Sequence, residues 1–362
     1  MQSIQKAIQS LLDRLVDDGT ERGVQVAAYV HGRLVVNSWA GIADFETGQP
    51  VGEETLFPVF STTKGMVATV IHILVEKGKL SYEDRISDYW PEFGARGKES
   101  ITLRQSLSHT SGIPQMPAGI GFAELCDWDQ MCKMIADLAP LWPPGTRNDY
   151  HAMTFGWILG EVARRADGRA FPQLLEEEIC RPLGIRTMFA GIPDGVNAEI
   201  ARLEEYGLAA VTPDDPAPRS VPVSLGPLHA WMNRPDVRKA CVPASNGIMS
   251  ALAIARHYAA LLPGGVDGIG LLPPERVKIA TVPQTPEHPQ GDDYSKDRGL
   301  GYRLGGQGSL CDLKSAFGHA GYGGSTGFAD PVSGLAVGFT KNLYGNDTAG
   351  QIVDELLRAL RA

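Results

Sequence analysis

A serine and a lysine three positions apart open an unusually apolar segment of this chain. The segment reads VFSTTKGMVATVIHILVEKGKL from Val59, and Ser61 and Lys64 are the residues in it that could do chemistry. Apolar residues after Lys64 recur with the spacing of one helix face, which predicts a buried helix starting at Ser61. A lysine in the first turn opposes the helix dipole and loses hydration. If burial lowers its pKa, a neutral amine can deprotonate a serine one turn away.

The same residues also have an ordinary structural interpretation. Serine and threonine at a helix start accept hydrogen bonds from N–H groups that have no partner inside the helix. The pattern S-x-x-K occurs by chance in many chains. Capping alone, however, gives Lys64 no role. As a catalytic pair, Ser61 and Lys64 would share one helix face, and the Ser61 N–H would be an oxyanion donor.

Two further stretches contain candidate residues. WPPGTRNDYHAMTFGWILGE places Tyr150 just before a predicted helix. A tyrosine there usually packs, but a phenol near a cation can act as general base and then as general acid. FGHAGYGGSTGF contains His319, Ala320 and Gly321 at the end of a predicted strand. A histidine in such a place is by itself more often structural than catalytic.

The patterns in the rest of the chain predict how these stretches are positioned. An N-terminal helix precedes two strands joined by the turn His31-Gly32, and strands return near the end before a last helix. The stretch SNGIMSALAIARHYAALLPGG is expected to be helical, and helices with proline-rich loops fill the middle of the chain. We therefore expect an α/β fold in which residues 1–79 and 243–362 form one lobe and residues 80–242 form an inserted, mostly helical lobe.

Composition restricts the class of protein. The chain has 362 residues, 43% of them hydrophobic, and a net charge of −9. This length exceeds what one hydrophobic core usually holds, which favours two lobes. The negative charge disfavours nucleic acid and anionic membranes as partners, and no apolar run is long enough to span a bilayer.

Location and cofactors can also be inferred from the sequence. The first residues lack the features of a signal peptide, and the five cysteines form no CxxC pair, so a cytoplasmic protein with reduced thiols is expected. The eight histidines show no metal-ligand spacing, and the nucleotide-binding motifs are absent. We expect no metal and no cofactor. The sequence is compatible with a monomer or a homo-oligomer.

The ordered set Ser61-x-x-Lys64, Tyr150 and His319-Ala320-Gly321 resembles the serine β-lactamase/penicillin-binding-protein superfamily. Within it, class C β-lactamases and the family VIII carboxylesterases are most similar. The segments LVEKGKLSYEDRISDYWPEF, ITLRQSLSHTSGIP and GGSTGFADPVSGLAVGFTKN also resemble that family, so the likeness covers nearly the whole chain. It implies a β-lactamase/transpeptidase-like fold, with an antiparallel sheet flanked by helices and an inserted helical lobe.

The resemblance also implies a covalent serine hydrolase. Ser61 would attack a carbonyl carbon, Lys64 and Tyr150 would take its proton, and Tyr150 would later protonate the leaving group. The backbone N–H groups of Ser61 and Tyr322 would form the oxyanion hole. Water or an acceptor alcohol would then release the acyl group.

Two positions depart from the family pattern. Ala152 stands where the family commonly has asparagine, and His319 where it commonly has lysine. Because these side chains serve the amide and the carboxylate of β-lactams, their loss favours a small-molecule ester as substrate. His319 is expected to hydrogen-bond Tyr150 or a substrate group.

The alternatives to a carboxylesterase are a serine acyltransferase with the same acyl-enzyme, a weak β-lactamase, and a binding or scaffold protein that has lost catalysis. Four aromatic residues of the middle segment are candidates for an acyl pocket, although packing is their commoner role. They are Phe122, Trp128, Trp142 and Trp231.

Overall fold

The computed structural model describes residues 2–196, 199–205, 220–222, 225–284, 298–306, 310–345 and 348–361. Its strands are β1 (Gly23–Val30), β2 (Arg33–Asp44), β3 (Gln49–Pro50), β4 (Phe57–Pro58), β5 (Met188–Ala190), β6 (Glu204–Glu205), β7 (Gly247–Met249), β8 (Arg303–Leu304), β9 (Phe317–Ala320), β10 (Thr326–Asp330), β11 (Leu335–Lys341) and β12 (Leu343–Tyr344).

The α-helices are α1 (Gln2–Asp17), α2 (Thr63–Glu76), α3 (Ile86–Tyr89), α4 (Leu103–Leu107), α5 (Phe122–Cys126), α6 (Trp128–Ala136), α7 (Thr154–Asp167), α8 (Phe171–Leu175), α9 (Arg181–Leu183), α10 (Leu228–Met232), α11 (Pro235–Lys239), α12 (Ala251–Ala259), α13 (Pro274–Ala280) and α14 (Ala349–Arg361). A 3₁₀ turn spans Pro91–Gly94, and a π-helical turn at Glu176–Cys180 joins α8 to α9.

The main sheet combines strands from distant parts of the sequence. Its order is β3-β2-β1-β11-β10-β9-β8, and every neighbouring pair is antiparallel. The hairpin between β1 and β2 turns at His31 and Gly32, both with positive φ (48° and 74°), as the sequence predicted. The expectation of an antiparallel sheet built from both ends of the chain and flanked by helices is confirmed.

Both faces of the sheet are covered, because successive side chains of a strand point to opposite sides. In β1, Val24 and Val26 belong to the core cluster that contains residues of α1 and α14. Ala27 and Tyr29 belong to the larger cluster that contains α2 and α12. Helix α2, which is buried from Thr63 to Leu74, therefore lies on the α12 side of the sheet, between the sheet and α7.

Two predicted boundaries differ from the structure. Helix α2 begins at Thr63, so Ser61 lies in the turn before the helix. The expected helical stretch from Ser245 is split, since Gly247–Met249 forms the central strand β7 of a small antiparallel sheet with β4 and β5. The Ser250 side chain then caps α12 by accepting from the Ala253 N–H, which ends the strand and starts the helix.

The region between α2 and β7 is mostly helical in its described residues, with β5 and β6 as short exceptions. The lobe boundaries at residues 80 and 242 stay a prediction. All five cysteines are free. In the described part of the chain, no helix is long and apolar enough to cross a bilayer, and no three potential ligand residues form a metal-binding group.

The carboxyl end of the central strand β11 is held by a buried ion pair. Lys341 donates to Glu21, which also accepts from the Thr348 hydroxyl before α14. Lys341→Met should lower the free energy of unfolding by about 3–5 kcal/mol, because it leaves a buried carboxylate without its cation. Urea unfolding followed by circular dichroism measures this. The exposed Lys278→Met is the control, expected within about 0.5 kcal/mol of wild type; equal midpoints for both variants would contradict the prediction.

Candidate active site

The Lys64 side chain is fully buried and reaches three acceptors from three parts of the chain. Its Nζ lies 3.0 Å from Ser61 Oγ, 2.6 Å from the Ala152 carbonyl oxygen and 2.9 Å from the Ala244 carbonyl oxygen. Ser61 precedes α2, Ala152 lies in the loop before α7, and Ala244 lies just before β7. The serine-lysine pair predicted from the sequence is therefore in hydrogen-bond contact.

Burial decides the protonation state of this lysine. Loss of hydration, helped by the positive charge of Arg298, holds the Lys64 pKa well below its ordinary value. A neutral amine has two N–H bonds and one lone pair, and the two carbonyl oxygens can each accept one N–H. The lone pair is then left for the Ser61 hydroxyl. This arrangement suits a base that removes the proton of Ser61.

The turn that presents Ser61 is held by its neighbours. Phe60 has a positive φ of 49°, which is unusual for a bulky residue and costs on the order of 1–3 kcal/mol. The Thr63 hydroxyl donates to the Phe60 carbonyl oxygen and accepts from the Gly247 N–H at 2.9 Å. The start of α2 is thereby tied to β7, which compensates the backbone strain next to Ser61.

Tyr150 lies beside the pair. Its hydroxyl hydrogen-bonds with the Ser61 side chain, and Lys64 Nζ is 4.9 Å from the centroid of its ring. Burial raises the pKa of the Tyr150 phenol, and this effect outweighs the Ser61 hydrogen bond and the charges of Arg298 and Arg303. The resting site therefore holds a protonated phenol next to an amine whose charged form is disfavoured by burial.

The loop that carries Tyr150 is fixed to the segment after α4. Asn148 Nδ2 donates to the Ser108 carbonyl oxygen at 2.9 Å, and the Asp149 N–H donates to the His109 carbonyl oxygen at 3.2 Å. The His151 N–H donates to His109 Nδ1 at 3.1 Å. Residues on both sides of Tyr150 are therefore pinned, which fixes the direction of its side chain.

These two histidines are structural partners of the site that the sequence analysis did not single out. His109 Nδ1 accepts a hydrogen bond, so the ring carries its proton on Nε2. His151 Nε2 accepts from the Ile113 N–H, so Nδ1 carries the proton and donates to the Asp149 carbonyl oxygen at 2.7 Å. Burial lowers the pKa of both, for His151 to about 3, and both are neutral.

Of the two partners expected for His319, the structure does not show the Tyr150 hydroxyl, and a substrate group stays a prediction. Its Nδ1–H donates to the Ala320 carbonyl oxygen at 2.8 Å, and within the described residues its buried Nε2 has no hydrogen-bond partner. The ring stacks near Tyr150, with centroids 6.2 Å apart, instead of hydrogen-bonding the phenol. Burial holds the His319 pKa well below its usual value, so it supplies no fixed cation.

The turn after β9 lies against the segment that carries the serine. A Cβ on Gly321 would be 2.2 Å from the Val59 carbonyl oxygen, so only glycine fits this approach. The Thr62 hydroxyl donates to the Ser325 carbonyl oxygen at 3.0 Å. Together these contacts place the Tyr322 backbone next to the turn of Ser61, while the Tyr322 side chain is 64% exposed.

Arg298 is a further charged residue of the site that sequence reasoning missed. Its guanidinium carbon lies 4.9 Å from the centroid of the Tyr150 ring, and the residue is only 5% exposed. In the sequence it belongs to RGLGYRLGG, a stretch that predicted one of the strands near the end of the chain and indicated no site residue. No local pattern connects it with Tyr150.

The four aromatic residues proposed for an acyl pocket separate into two groups. Trp231 is buried in the main core, and Phe122 and Trp128 are partly buried against it, so these three pack the fold. Trp142 instead meets the ring of His151 edge-on, with centroids 6.2 Å apart. Only Trp142 among them contacts the polar cluster around Tyr150.

Comparison with known proteins identifies the family. The model of the family described as Beta-lactamase matches residues 8–361. The chain belongs to the beta-lactamase family. It is 32% identical over 341 residues to Esterase/beta-lactamase LipL of Mycobacterium tuberculosis, an alignment that covers 88% of this chain and 77% of LipL.

Solved structures of the beta-lactamase family agree with this fold. A family VIII carboxylesterase superposes with a TM-score of 0.86 at 31% identity, covering 99% of this chain and 97% of its own. EstA from Arthrobacter nitroguajacolicus Rue61a superposes with a TM-score of 0.84 at 28% identity, covering 98% and 97%. The resemblance inferred from the sequence and the β-lactamase/transpeptidase-like fold are thus confirmed.

The position of Lys64 depends on a close approach between α7 and the segment before β7. A Cβ on Gly156 would lie 2.4 Å from the backbone nitrogen of Ala244, the residue whose carbonyl accepts from Lys64. Gly156→Ala should slow phosphonylation of Ser61 by a fluorophosphonate about 10²-fold, because a shift near 1 Å costs that much. Intact-mass spectrometry over time, normalised to the folded fraction, measures this rate.

Gly350→Ala is the matched control, since no atom lies within 4 Å of the added Cβ. Gly350 lies in the first turn of α14 and is exposed, so the variant should leave the labelling rate unchanged and change the free energy of unfolding by no more than about 0.5 kcal/mol. Labelling of Gly156→Ala at the wild-type rate would show that the Ala244 carbonyl does not position the base.

Proposed function

We propose that the protein is a carboxylesterase that forms an acyl-enzyme on Ser61. One observation carries the proposal: the hydroxyl of Ser61 lies 3.0 Å from the amine of Lys64, which is buried and has its pKa held low. A scaffold or binding protein gains nothing from burying a lysine in this way, because burial of a cation opposes folding. The similarity to the esterase/beta-lactamase LipL and to a family VIII carboxylesterase supports an ester as the substrate.

In the proposed acylation, the Ser61 oxygen forms a bond to the ester carbonyl carbon while its proton passes to Lys64. The carbonyl electron pair moves to the oxygen, where the N–H groups of Ser61 and Tyr322 stabilise the charge. When this intermediate collapses, the bond to the alcohol oxygen breaks. Tyr150 gives its phenolic proton to that oxygen, so a neutral alcohol leaves.

Deacylation reverses these proton movements. Water adds to the acyl carbon and gives its proton to the Tyr150 phenolate. The bond to the Ser61 oxygen then breaks, and Lys64 returns the proton to that oxygen. The cycle ends with the neutral amine, phenol and hydroxyl of the resting site, and one ester and one water have become an acid and an alcohol.

The two departures from the family pattern favour esters over β-lactams in this proposal. Ala152 offers no side-chain amide, and its carbonyl oxygen is already used by Lys64. The imidazole of His319 is neutral and offers no positive charge to a carboxylate. The missing lysine contact, which is charge-assisted, is worth about 1.5–3 kcal/mol, or roughly one to two decades in specificity, and the missing neutral amide contact about 0.5–1.5 kcal/mol. The cytoplasmic location stays a prediction.

Ser61→Ala is the direct test of the nucleophile. The variant should lose turnover of p-nitrophenyl butyrate and labelling by a fluorophosphonate while keeping its melting temperature, since the hydroxyl adds little packing volume. Steady release of p-nitrophenol and adduct mapping by mass spectrometry measure the two effects. Ser325→Ala is the control, because Ser325 contributes its carbonyl oxygen to Thr62 and this contact survives.

Other outcomes of the same assay identify the alternatives. Rates that rise with added alcohol, with transfer of the butyryl group, indicate an acyltransferase. Nitrocefin turnover equal to that of the ester indicates a β-lactamase, and absence of both turnover and labelling in the wild type indicates a scaffold protein. Undiminished activity of Ser61→Ala would contradict the proposed nucleophile.

Tyr150 and His319 should differ in their effect on the pH profile. Tyr150→Phe removes the proton donor, so kcat/KM should fall about 10²–10⁴-fold. His319→Ala should lower kcat/KM about tenfold at most. The fall of kcat/KM on the acid side of the pH profile, called the acid limb, should remain in this variant. The reason is that the His319 pKa is held well below its usual value, so the ring stays neutral across the working range. Rates of p-nitrophenyl butyrate hydrolysis between pH 5 and 9 measure both, and loss of the acid limb in His319→Ala would make histidine the base.

A further inference from the structure

The guanidinium of Arg298 is placed to act on Tyr150. Residue 298 forms an isolated bridge with Arg303 at the start of β8, and its carbonyl oxygen accepts from the Gln284 N–H at 2.8 Å. Its side chain runs inward, and the guanidinium carbon lies 4.9 Å from the centroid of the Tyr150 ring in a nearly solvent-free position. An arginine stays charged there, because its pKa is far above the working range.

Few side chains around Tyr150 carry a permanent positive charge. The side chains that face or approach it are Ser61, Lys64, His109, Arg298, Arg303 and His319, and His151 follows it in the chain and contacts His109. Burial lowers the pKa of the three histidines, which leaves them neutral, and it holds the pKa of Lys64 well below its ordinary value. Asp149, the neighbouring residue in the sequence, pairs with Arg147 at 3.1 Å. The permanent positive charge near the phenol therefore comes from the two arginines.

Of these two, Arg298 has the stronger effect. Arg303 is half-buried, whereas Arg298 is 5% exposed, and a charge acts more strongly where water does not screen it. The charge of Arg298 lowers the pKa of Tyr150 more than that of Arg303 does, against the larger opposing effect of burial. The same charge disfavours an ammonium on Lys64.

We propose that Arg298 is a positioning residue that stabilises the phenolate form of Tyr150, and so makes the phenol a better acid toward the leaving alcohol. This inference rests on the proposed esterase function. In the acylation step the O–H bond of Tyr150 breaks and an O–H bond forms on the departing alkoxide. The phenolate that remains lies beside the guanidinium until water returns the proton. Arg298 thereby supplies, from a different element, the fixed cation that His319 does not provide.

The leaving group of the ester distinguishes this role from simple packing. A p-nitrophenolate departs with little help, whereas an ethoxide needs a proton at the moment the bond breaks. Arg298→Met keeps the length and apolar contact of the side chain but removes its charge. It should lower kcat/KM for ethyl butyrate about 10- to 100-fold and for p-nitrophenyl butyrate about threefold or less. A packing role would lower both rates equally.

Companion variants make the test specific. Arg298→Lys restores a cation. It should reverse at least half of the change that Arg298→Met causes in the logarithm of the ratio between the two kcat/KM values. Arg303→Met, which removes the more exposed charge, should change the ratio of the two rates less than Arg298→Met does. In a Tyr150→Phe background, Arg298→Met should leave that ratio unchanged, because the group on which it acts is missing.

The outcomes separate this inference from the proposed function. A wild-type protein that hydrolyses neither ester contradicts the esterase function itself. The role of Arg298 alone is contradicted if the wild type hydrolyses both esters and Arg298→Met loses activity equally on the two. This holds when the variant keeps the wild-type melting temperature. If Arg298→Met unfolds, Arg298→Lys and Arg298→Gln are compared instead. The same ratio of kcat/KM for the two esters in both variants would overturn the proposal, because only the lysine carries a charge.

Discussion

The burial of Lys64 against two backbone carbonyls is the constraint on which the site depends. An amine so far from water needs every acceptor it can reach, and the acceptors come from loops that are distant in sequence. Helix α2, the loop before α7 and the segment before β7 must therefore meet at one point. Small residues permit the approach: a Cβ on Gly65 would lie 2.0 Å from the Tyr258 hydroxyl, and one on Gly247 would lie 2.3 Å from the Thr63 hydroxyl.

The polar groups around this lysine form a cluster that is neutral apart from its arginines. Loss of hydration lowers the pKa of His109, His151 and His319, and their ring protons are assigned by the backbone groups that they meet. Neutral histidines with fixed tautomers orient a loop without competing for the proton of the nucleophile. The site thus keeps proton transfer to one short route between the serine, the lysine and the phenol.

Local spacing was sufficient to predict part of this arrangement. Ser61 and Lys64 are one turn apart, so their contact follows from any helical or turn-like backbone. The end of α7 at Gly168, which has a φ of 92°, likewise follows from a local signal. Tyr150 and His319 were found through the order of motifs along the chain, because neither stands out in its own surroundings.

The remaining features depend on contacts that a sequence pattern does not encode. The acceptors at Ala152 and Ala244 are backbone carbonyls, which every residue has, so their identity carries no signal. Arg298 reaches Tyr150 across about 150 residues of chain, a separation visible only in the folded molecule. The strand Gly247–Met249 is three residues long and is stabilised by partners on both sides, so its apolar run could not be told from a helix.

The pairing of β1 with β11 has a consequence for synthesis of the chain. Val30 lies opposite Leu335, so the middle of the main sheet joins residues made at very different times on the ribosome. At about 5–20 residues per second, roughly 15–60 s pass between the two strands. During that interval the apolar residues of β1 lack their partner, and the exposed strand edge is open to pairing with other chains. Yield in cells should therefore depend on chaperones that shield β1 until the last strands emerge.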